Sequence, residues 1–270
     1  METVLITGCS SGIGRATARA FDGAGWTVYA GARSDDDLAA LDDAGYEPVE
    51  LDVTDPDDCA HAVADLVERE GGIGCLVNNA GYGLTGPVED IPPRKLHEQF
   101  DVNVYGPHRL TRAALPHMRE AGEGTVVNVS SWLGRVALPG AGPYCASKGA
   151  LEALSDSLRA EVREFGVDVV LVEPGRVATA FYDRTGAELD GLDRSGAYDT
   201  LYGLVEDVTV LDLLEIAPGD VADTVLDAAT CADPLPRYTV GGLARTGVAL
   251  RHVPARWRDA AYRLVSRVVR

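Results

Sequence analysis

Hydrophobic positions along the chain alternate between two patterns. Short runs rich in β-branched residues read as strands: Val4-Leu5-Ile6, Thr27-Val28-Tyr29, Val49-Glu50-Leu51, Cys75-Leu76-Val77, Val126-Val127-Asn128-Val129 and Val167-Asp168-Val169-Val170-Leu171-Val172. Several are apolar throughout, as strands covered on both faces must be. Between them lie helix-sized segments, among them Ala16 to Ala24, Pro56 to Arg69, Leu96 to Met118 and Ala146 to Phe165. In the last, Leu151, Leu154, Leu158 and Val162 recur at helical spacing on one stripe. Repeated strand–helix–strand order predicts an α/β fold, a doubly wound parallel sheet with right-handed crossovers. A chain of 270 residues suits one such domain and leaves little room for a second.

The alternation stops after Pro174. From Arg176 to about Pro218 no clear strand is visible, and Phe181, Tyr182, Tyr198, Leu201 and Tyr202 mix with charges and glycines. An insertion of this length in a compact domain reads as a substrate lid or binding loop. We place the dinucleotide-binding catalytic domain at 1–242, with its substrate loop at 176–218, and a basic amphipathic arm at 243–270.

The first strand runs directly into Thr7-Gly8-Cys9-Ser10-Ser11-Gly12-Ile13-Gly14 and then a helix. A pyrophosphate needs backbone N–H groups and a helix N-terminus at close range, and glycine permits both the sharp turn and the approach. Such a turn can also occur without a ligand, but its place in the first unit of a wound sheet points to nucleotide binding. The second strand ends Tyr29-Ala30-Gly31-Ala32-Arg33, without the carboxylate that would bind the 2′-hydroxyl of NAD. Arg33 can pair with a 2′-phosphate instead, which predicts NADP(H).

Tyr144-Cys145-Ala146-Ser147-Lys148 opens a helix, and the four-residue spacing puts Tyr144 and Lys148 on one face. A free phenol titrates near ~10, too high for acid–base work at neutral pH, and an adjacent ammonium lowers that value. The pair gains weight from its surroundings. Together with Thr7-Gly8-x-x-x-Gly12-x-Gly14, Asp52-Val53, Asn78-Asn79-Ala80-Gly81, Asn103, Ser130-Ser131 and Pro174-Gly175 followed by Thr179, it resembles the short-chain dehydrogenase/reductase family over roughly residues 3–180. None of these motifs departs from the family pattern.

That resemblance implies a Rossmann-type fold and hydride transfer between NADP(H) and a carbonyl or secondary alcohol. It makes Tyr144 the general acid–base, and Lys148 both its tuning cation and a holder of the nicotinamide ribose. It gives Ser131, thirteen positions before Tyr144, the substrate oxygen, leaves Ser130 pointing into structure, and gives Asn103 a proton-relay water. Cofactor contacts are implied for Gly8, Ser10, Ser11, Gly12, Ile13, Gly14, Arg33, Asp52, Val53, Asn79, Tyr144, Lys148, Pro174, Val177 and Thr179. The glycine turn, Arg33 and the Tyr144–Lys148 block look most similar to the 17β-hydroxysteroid and retinol dehydrogenase branch, which does not fix the substrate beyond an apolar carbonyl or alcohol. The resemblance also implies a homo-oligomer, dimer or tetramer, paired through helices at 94–118 and 143–165. An NADP-binding redox sensor or a scaffold on the same fold is the alternative, and the full set of four catalytic positions argues against both.

Composition adds limits. Cys9, Cys59, Cys75, Cys145 and Cys231 are an odd, scattered set without a C-x-x-C pair, and His61, His97, His108, His117 and His252 show no metal spacing, so neither a disulfide framework nor a metal site is expected. With no signal peptide or spanning run in view, the expected location is the cytoplasm. A net charge of −18 disfavours nucleic acid and anionic surfaces over most of the protein. Only two lysines stand beside 22 arginines, which resembles either a salt-adapted acidic surface or the bias of a GC-rich genome. The C-terminus reverses the sign: residues 237–270 hold eight arginines and the single acid Asp259. Pro254 to Arg270 reads as an amphipathic helix with Trp257, Ala261, Leu264, Val265 and Val268 on one side. Such a helix can cover the chain's own core, meet a partner subunit, or make weak peripheral contact with an anionic membrane.

Overall fold

In the computed structural model, which describes residues 1–206 and 214–268, seven parallel strands form one sheet. They are β1 Thr3–Thr7, β2 Thr27–Ala32, β3 Glu47–Glu50, β4 Cys75–Asn78, β5 Gly124–Val129, β6 Val167–Pro174 and β7 Arg237–Val240, in the spatial order β3-β2-β1-β4-β5-β6-β7. Winding reverses between β1 and β4, so the crevice past their C-terminal ends is where this architecture places a ligand.

The pleat assigns side chains to layers. Val4 and Ile6 of β1 enter one core with Ala18 and Phe21 of α1 (Gly12–Gly23), Leu41 of α2 (Asp35–Asp42) and, on the same face, Val221 and Val225. Leu5 enters the opposite core with Leu66 of α3 (Pro56–Glu70), Leu76, Val126 and Val169. Asp55 begins α3 by accepting hydrogen bonds from the N–H groups of Asp57 and Asp58, Pro56 sits where no donor is needed, and Gly71 ends the helix at φ 81°.

The sequence predicts one helix over 96–118, but the structure has α4 (Pro93–Phe100), a π-helical turn (Asp101–Tyr105) and α5 (Gly106–Ala121). Pro107 has no N–H to give the carbonyl of Asn103 four residues back, so the regular ladder cannot pass through this turn. Gly106 packs on Val53, where a Cβ would lie 2.9 Å from the valine side chain. The periodicity also passed over α2, β7 and the helix over 218–230. The remaining helices are α6 (Gly142–Val162), α7 (Phe181–Asp190), α8 (Asp199–Glu206), α9 (Pro218–Thr230), α10 (Gly242–Ala249) and α11 (Ala255–Val268). Among the described residues of the 176–218 segment there is no strand, only the bridge Val177–Ile216, and a third apolar cluster forms from Leu84, Ile91, Leu189, Leu192 and Tyr202.

Candidate active site

The glycine turn has the shape an anion requires. Gly8 and Gly12 take φ values of 72° and 57°, and a Cβ at Gly14 would fall 2.2 Å from the Gly8 carbonyl oxygen. α1 starts at Ser11 without a side-chain cap, which leaves first-turn N–H groups for a ligand. Asn79 braces the turn from β4: its Nδ2 donates to the Thr7 and Gly8 carbonyls at 2.9 and 3.3 Å, and Thr7 Oγ1 accepts from the Asn79 and Ala80 N–H groups. Thr179 touches the turn from the other side, 3.0 Å from where a Gly12 Cβ would stand. Ser10 and Ile13 are half-buried beside them. Cys9 is fully buried, and burial pushes its thiol up to about 12, so it packs rather than reacts.

At the end of β2, Arg33 is exposed and makes no hydrogen bond or ion pair among the described residues. Its charge reaches Asp52, whose carboxyl burial pushes up, while bonds from Thr54 and the charges of Arg33 and Arg109 hold it below the usual carboxylate range. Val53 is buried, and its carbonyl accepts from Arg109 Nη1 at 3.0 Å. Pro174 pairs with Val240, Val177 is buried at its bridge to Ile216, and both hold the chain across the crevice.

The four residues given chemical roles converge at the ends of β4 and β5. Tyr144 and Lys148 share a face of α6, with Lys148 Nζ 6.0 Å from the Tyr144 ring centre. Lys148 is almost wholly buried and donates to the Val129 carbonyl at 2.8 Å; burial pulls its ammonium down to about 8, against the opposing charge of Glu152. Asn103, in the π turn, donates to the Tyr82 carbonyl and to Ser147 Oγ, both at 3.0 Å, and accepts from the Tyr82 N–H at 3.1 Å. Gly81 shows how close these groups lie: a Cβ there would stand 3.1 Å from Asn103 Oδ1 and 3.6 Å from Lys148 Nζ. Ser131 follows β5, buried, and caps the turn Trp132–Gly134 by accepting from the Leu133 N–H at 3.2 Å. Ser130 points into structure, toward the Glu152 carboxyl.

Periodicity did not single out two features of this site. Phe181, at the start of α7, sets its ring edge-on to Tyr144 at 5.6 Å between centres, and a Cβ on Gly83 would collide with Phe181 and Thr185. The aromatic content of the insertion was the available signal. The second is a buried ionic cluster behind Lys148, whose members are scattered over α6, β6 and β7. A groove of about 500 Å³ beside Gly12 and Thr179 runs between α1 and α9 without reaching Tyr144.

This geometry is that of a nicotinamide-linked oxidoreductase, and the chain belongs to the short-chain dehydrogenase/reductase family, whose short chain dehydrogenase description matches residues 2–190. It is 36% identical over 240 residues to the oxidoreductase YbbO of Escherichia coli (strain K12), covering 88% of this chain and 85% of that protein. It is 32% identical over 257 residues to the NADPH-dependent 3-dehydrocapnine reductase of Ornithobacterium rhinotracheale, covering 89% and 88%. The crystal structure of a short-chain dehydrogenase from Streptomyces avermitilis superposes with a TM-score of 0.84 at 34% identity, covering 100% of this chain and 98% of that one. Among similar structures some hold NADP and others NAD.

Proposed function

We propose that this chain is an NADP(H)-dependent reductase or dehydrogenase acting on the carbonyl or secondary alcohol of an apolar substrate. The observation that carries the reading is the convergence of Lys148 and Asn103 beside Gly81 with the Tyr144 ring next to Lys148, and Ser131 at the end of the neighbouring strand. The bound nicotinamide would give or take the hydride. The rest of the work falls to side chains. In the reductive direction Ser131 Oγ donates to the substrate oxygen, and Tyr144 Oη passes its proton to that oxygen as the carbon becomes an alcohol carbon. The phenolate left behind is stabilised by the Lys148 ammonium, which must therefore stay charged. Asn103, fixed on both sides by Tyr82, holds the widened helical turn through which a proton can be returned to Tyr144.

The choice of NADP(H) rests on Arg33, exposed and unpaired among the described residues where a 2′-phosphate would lie. Asp35, Asp36 and Asp37 follow in the first turn of α2, where negative charge suits the helix N-terminus, and Ser34 ties back Asp37. Phe181 and the cluster of Leu84, Ile91, Leu189, Leu192 and Tyr202 support an apolar substrate. Pairing with a second copy through the helices at 94–118 and 143–165 is supported by Tyr105 of the π turn and Leu154 of α6, which are exposed. Within the arm at 243–270, a contact role apart from the chemistry is proposed for its last helix, α11. Turnover of a panel of ketones with NADPH and NADH tests the whole reading; no oxidation of either cofactor by any apolar ketone would leave the sensor or scaffold alternative.

A further inference from the structure

Behind the reacting groups, charged side chains from α6, β6 and β7 are buried together. Glu152 lies one turn after Lys148 on α6 and is 5% exposed; Glu173 of β6 is 0% exposed. Arg237, which opens β7, donates from Nε to Glu152 Oε2 at 3.1 Å and lies 3.2 Å from Glu173 Oε1. Arg135, just past the turn that Ser131 caps, donates to the same Glu173 oxygen at 2.8 Å, and Thr239 donates to the other at 2.9 Å. The remaining charge of Arg237 is met by Asp156, which also pairs with Arg159 at the surface. Glu173 thus has both oxygens bonded. Glu152 does not: among the described residues its buried Oε1 has no well-formed hydrogen bond, and the Ser130 hydroxyl faces the carboxyl.

Two buried carboxylates therefore share the cations Arg135 and Arg237, and Glu152 is the one left with a free oxygen on the helix that carries Lys148. A buried ammonium whose hydrogen bond among the described residues is to a neutral carbonyl is expensive unless an anion is near. We propose that Glu152 is a positioning residue for the reaction: its carboxylate, kept ionised by Arg237, holds Lys148 cationic so that the lysine can lower the proton affinity of Tyr144. The other groups around this pair are Tyr144 and Asp156 on α6, Glu173 on β6 and Arg135 beyond Ser131, with Asn103 and Ser130 neutral. Burial pulls Lys148 down and Glu152 opposes it; Glu152 itself is raised by burial and by Glu173, against Ser130 and Arg237, which hold it down. The proposal rests on the roles given to Tyr144 and Lys148, but its first test does not.

The chain has only two lysines, so protein carrying carbon-13 at the lysine side chains gives two signals to titrate by NMR. Lys95, paired with Glu188 at 2.7 Å on the surface, is the internal control, and Lys95→Arg assigns the pair. In the cofactor-free parent, Lys148 is expected to be cationic at neutral pH. Glu152→Gln should lower its midpoint by about one to two pH units, Glu152→Asp should give an intermediate value, and Lys95 should not move. Circular dichroism and melting confirm that each variant is folded. A parent Lys148 that is neutral at pH 7, or a Glu152→Gln midpoint within about 0.3 unit of the parent, overturns the proposal. If Glu152→Gln does not fold, Glu152→Asp decides, and an unshifted Lys148 overturns it.

In alcohol oxidation, where Tyr144 must lose its proton, a less charged lysine stabilises the phenolate less. The acid limb of the kcat/KM profile should then move up in pH in Glu152→Gln. An NMR shift without that kinetic shift would break the link to Tyr144. A parent that turns over no substrate would instead break the proposed function while leaving the lysine titration standing.

Discussion

The crevice has two walls built on different principles. On the nucleotide side, backbone carries the structure: Gly14 has no space for a Cβ, Asn79 bonds the turn through main-chain oxygens, and the first turn of α1 has no side-chain cap over its N–H groups. On the substrate side, glycines give way to other residues' side chains. A Cβ at Gly86 would meet Leu192, one at Gly140 would meet Val205, and one at Gly83 would meet Phe181. Backbone recognition leaves few permitted residues, whereas apolar packing accepts many combinations of similar volume. Cofactor chemistry is consequently specified tightly and substrate shape loosely.

The largest expected effect comes where the two walls meet. Tyr144→Phe removes the hydroxyl that carries the transferable proton and keeps the ring against Phe181, so turnover should fall by about a hundredfold to ten-thousandfold while NADPH binding stays nearly intact. Steady-state rates and a cofactor titration measure both; a rate within about tenfold of the parent, a barrier change of only ~1.4 kcal/mol, contradicts the assigned role. Lys148→Ala should impair rate and cofactor binding together.

Next comes the nucleotide wall alone. Arg33→Asp exchanges attraction for repulsion at the 2′-phosphate, and a charge-assisted contact of this kind is worth roughly 1.5–3 kcal/mol, or about ten- to a hundredfold in affinity. The parent should prefer NADPH and the variant NADH, with kcat on the preferred cofactor largely kept. Equal affinity of the parent for both cofactors would remove the claim.

A smaller effect is expected on the substrate wall. Phe181→Ala deletes an edge-on aromatic contact of about 0.5–1.5 kcal/mol, so KM for bulky apolar ketones should rise several-fold. NADPH affinity should not change. A loss of cofactor affinity equal to the loss of substrate affinity would show that the two walls are not separable.

This contrast also explains what could be read from the sequence. Strands buried on both faces, such as β4 and β5, declare themselves by apolar runs, and Tyr144, Lys148, Gly12 and Gly14 stand at spacings that geometry enforces. β7 does not, because its four residues are all half-buried and start with the arginine that enters the ionic cluster. The π turn escaped because an apolar stripe passes smoothly over it, though Pro107 marks the donor that is missing. Glu152 looks like one more acid on a solvated helix; only the meeting of α6 with β6 and β7, distant in sequence, reveals that it is buried.

The smallest effect on chemistry is expected at the far C-terminus. Residues 237–270 carry a net charge of +7 (eight arginines, one acid) in a chain of −18. α10 cannot be part of any detachable arm: Ala244 is fully buried, and a Cβ on Gly247 would lie 2.5 Å from the Trp132 ring, beside Ser131. α11 differs, for Trp257 is 63% exposed and Tyr262 is half-buried. The side chains of Leu264, Val265 and Val268 lie outside the described residues, but Trp257 does not cover this chain's own core. A chain ending at Val253 should therefore keep hydride transfer within about twofold of the parent, since no group near Tyr144 is lost, and should keep its fold. If α11 meets anionic lipid, co-sedimentation with phosphatidylserine vesicles should fall sharply, because each arginine near such a surface is worth ~1 kcal/mol. If it meets a second copy, light scattering should report a smaller particle instead. Unchanged size and unchanged vesicle binding would eliminate both contact roles, and collapse of the soluble fold would return α11 to the core.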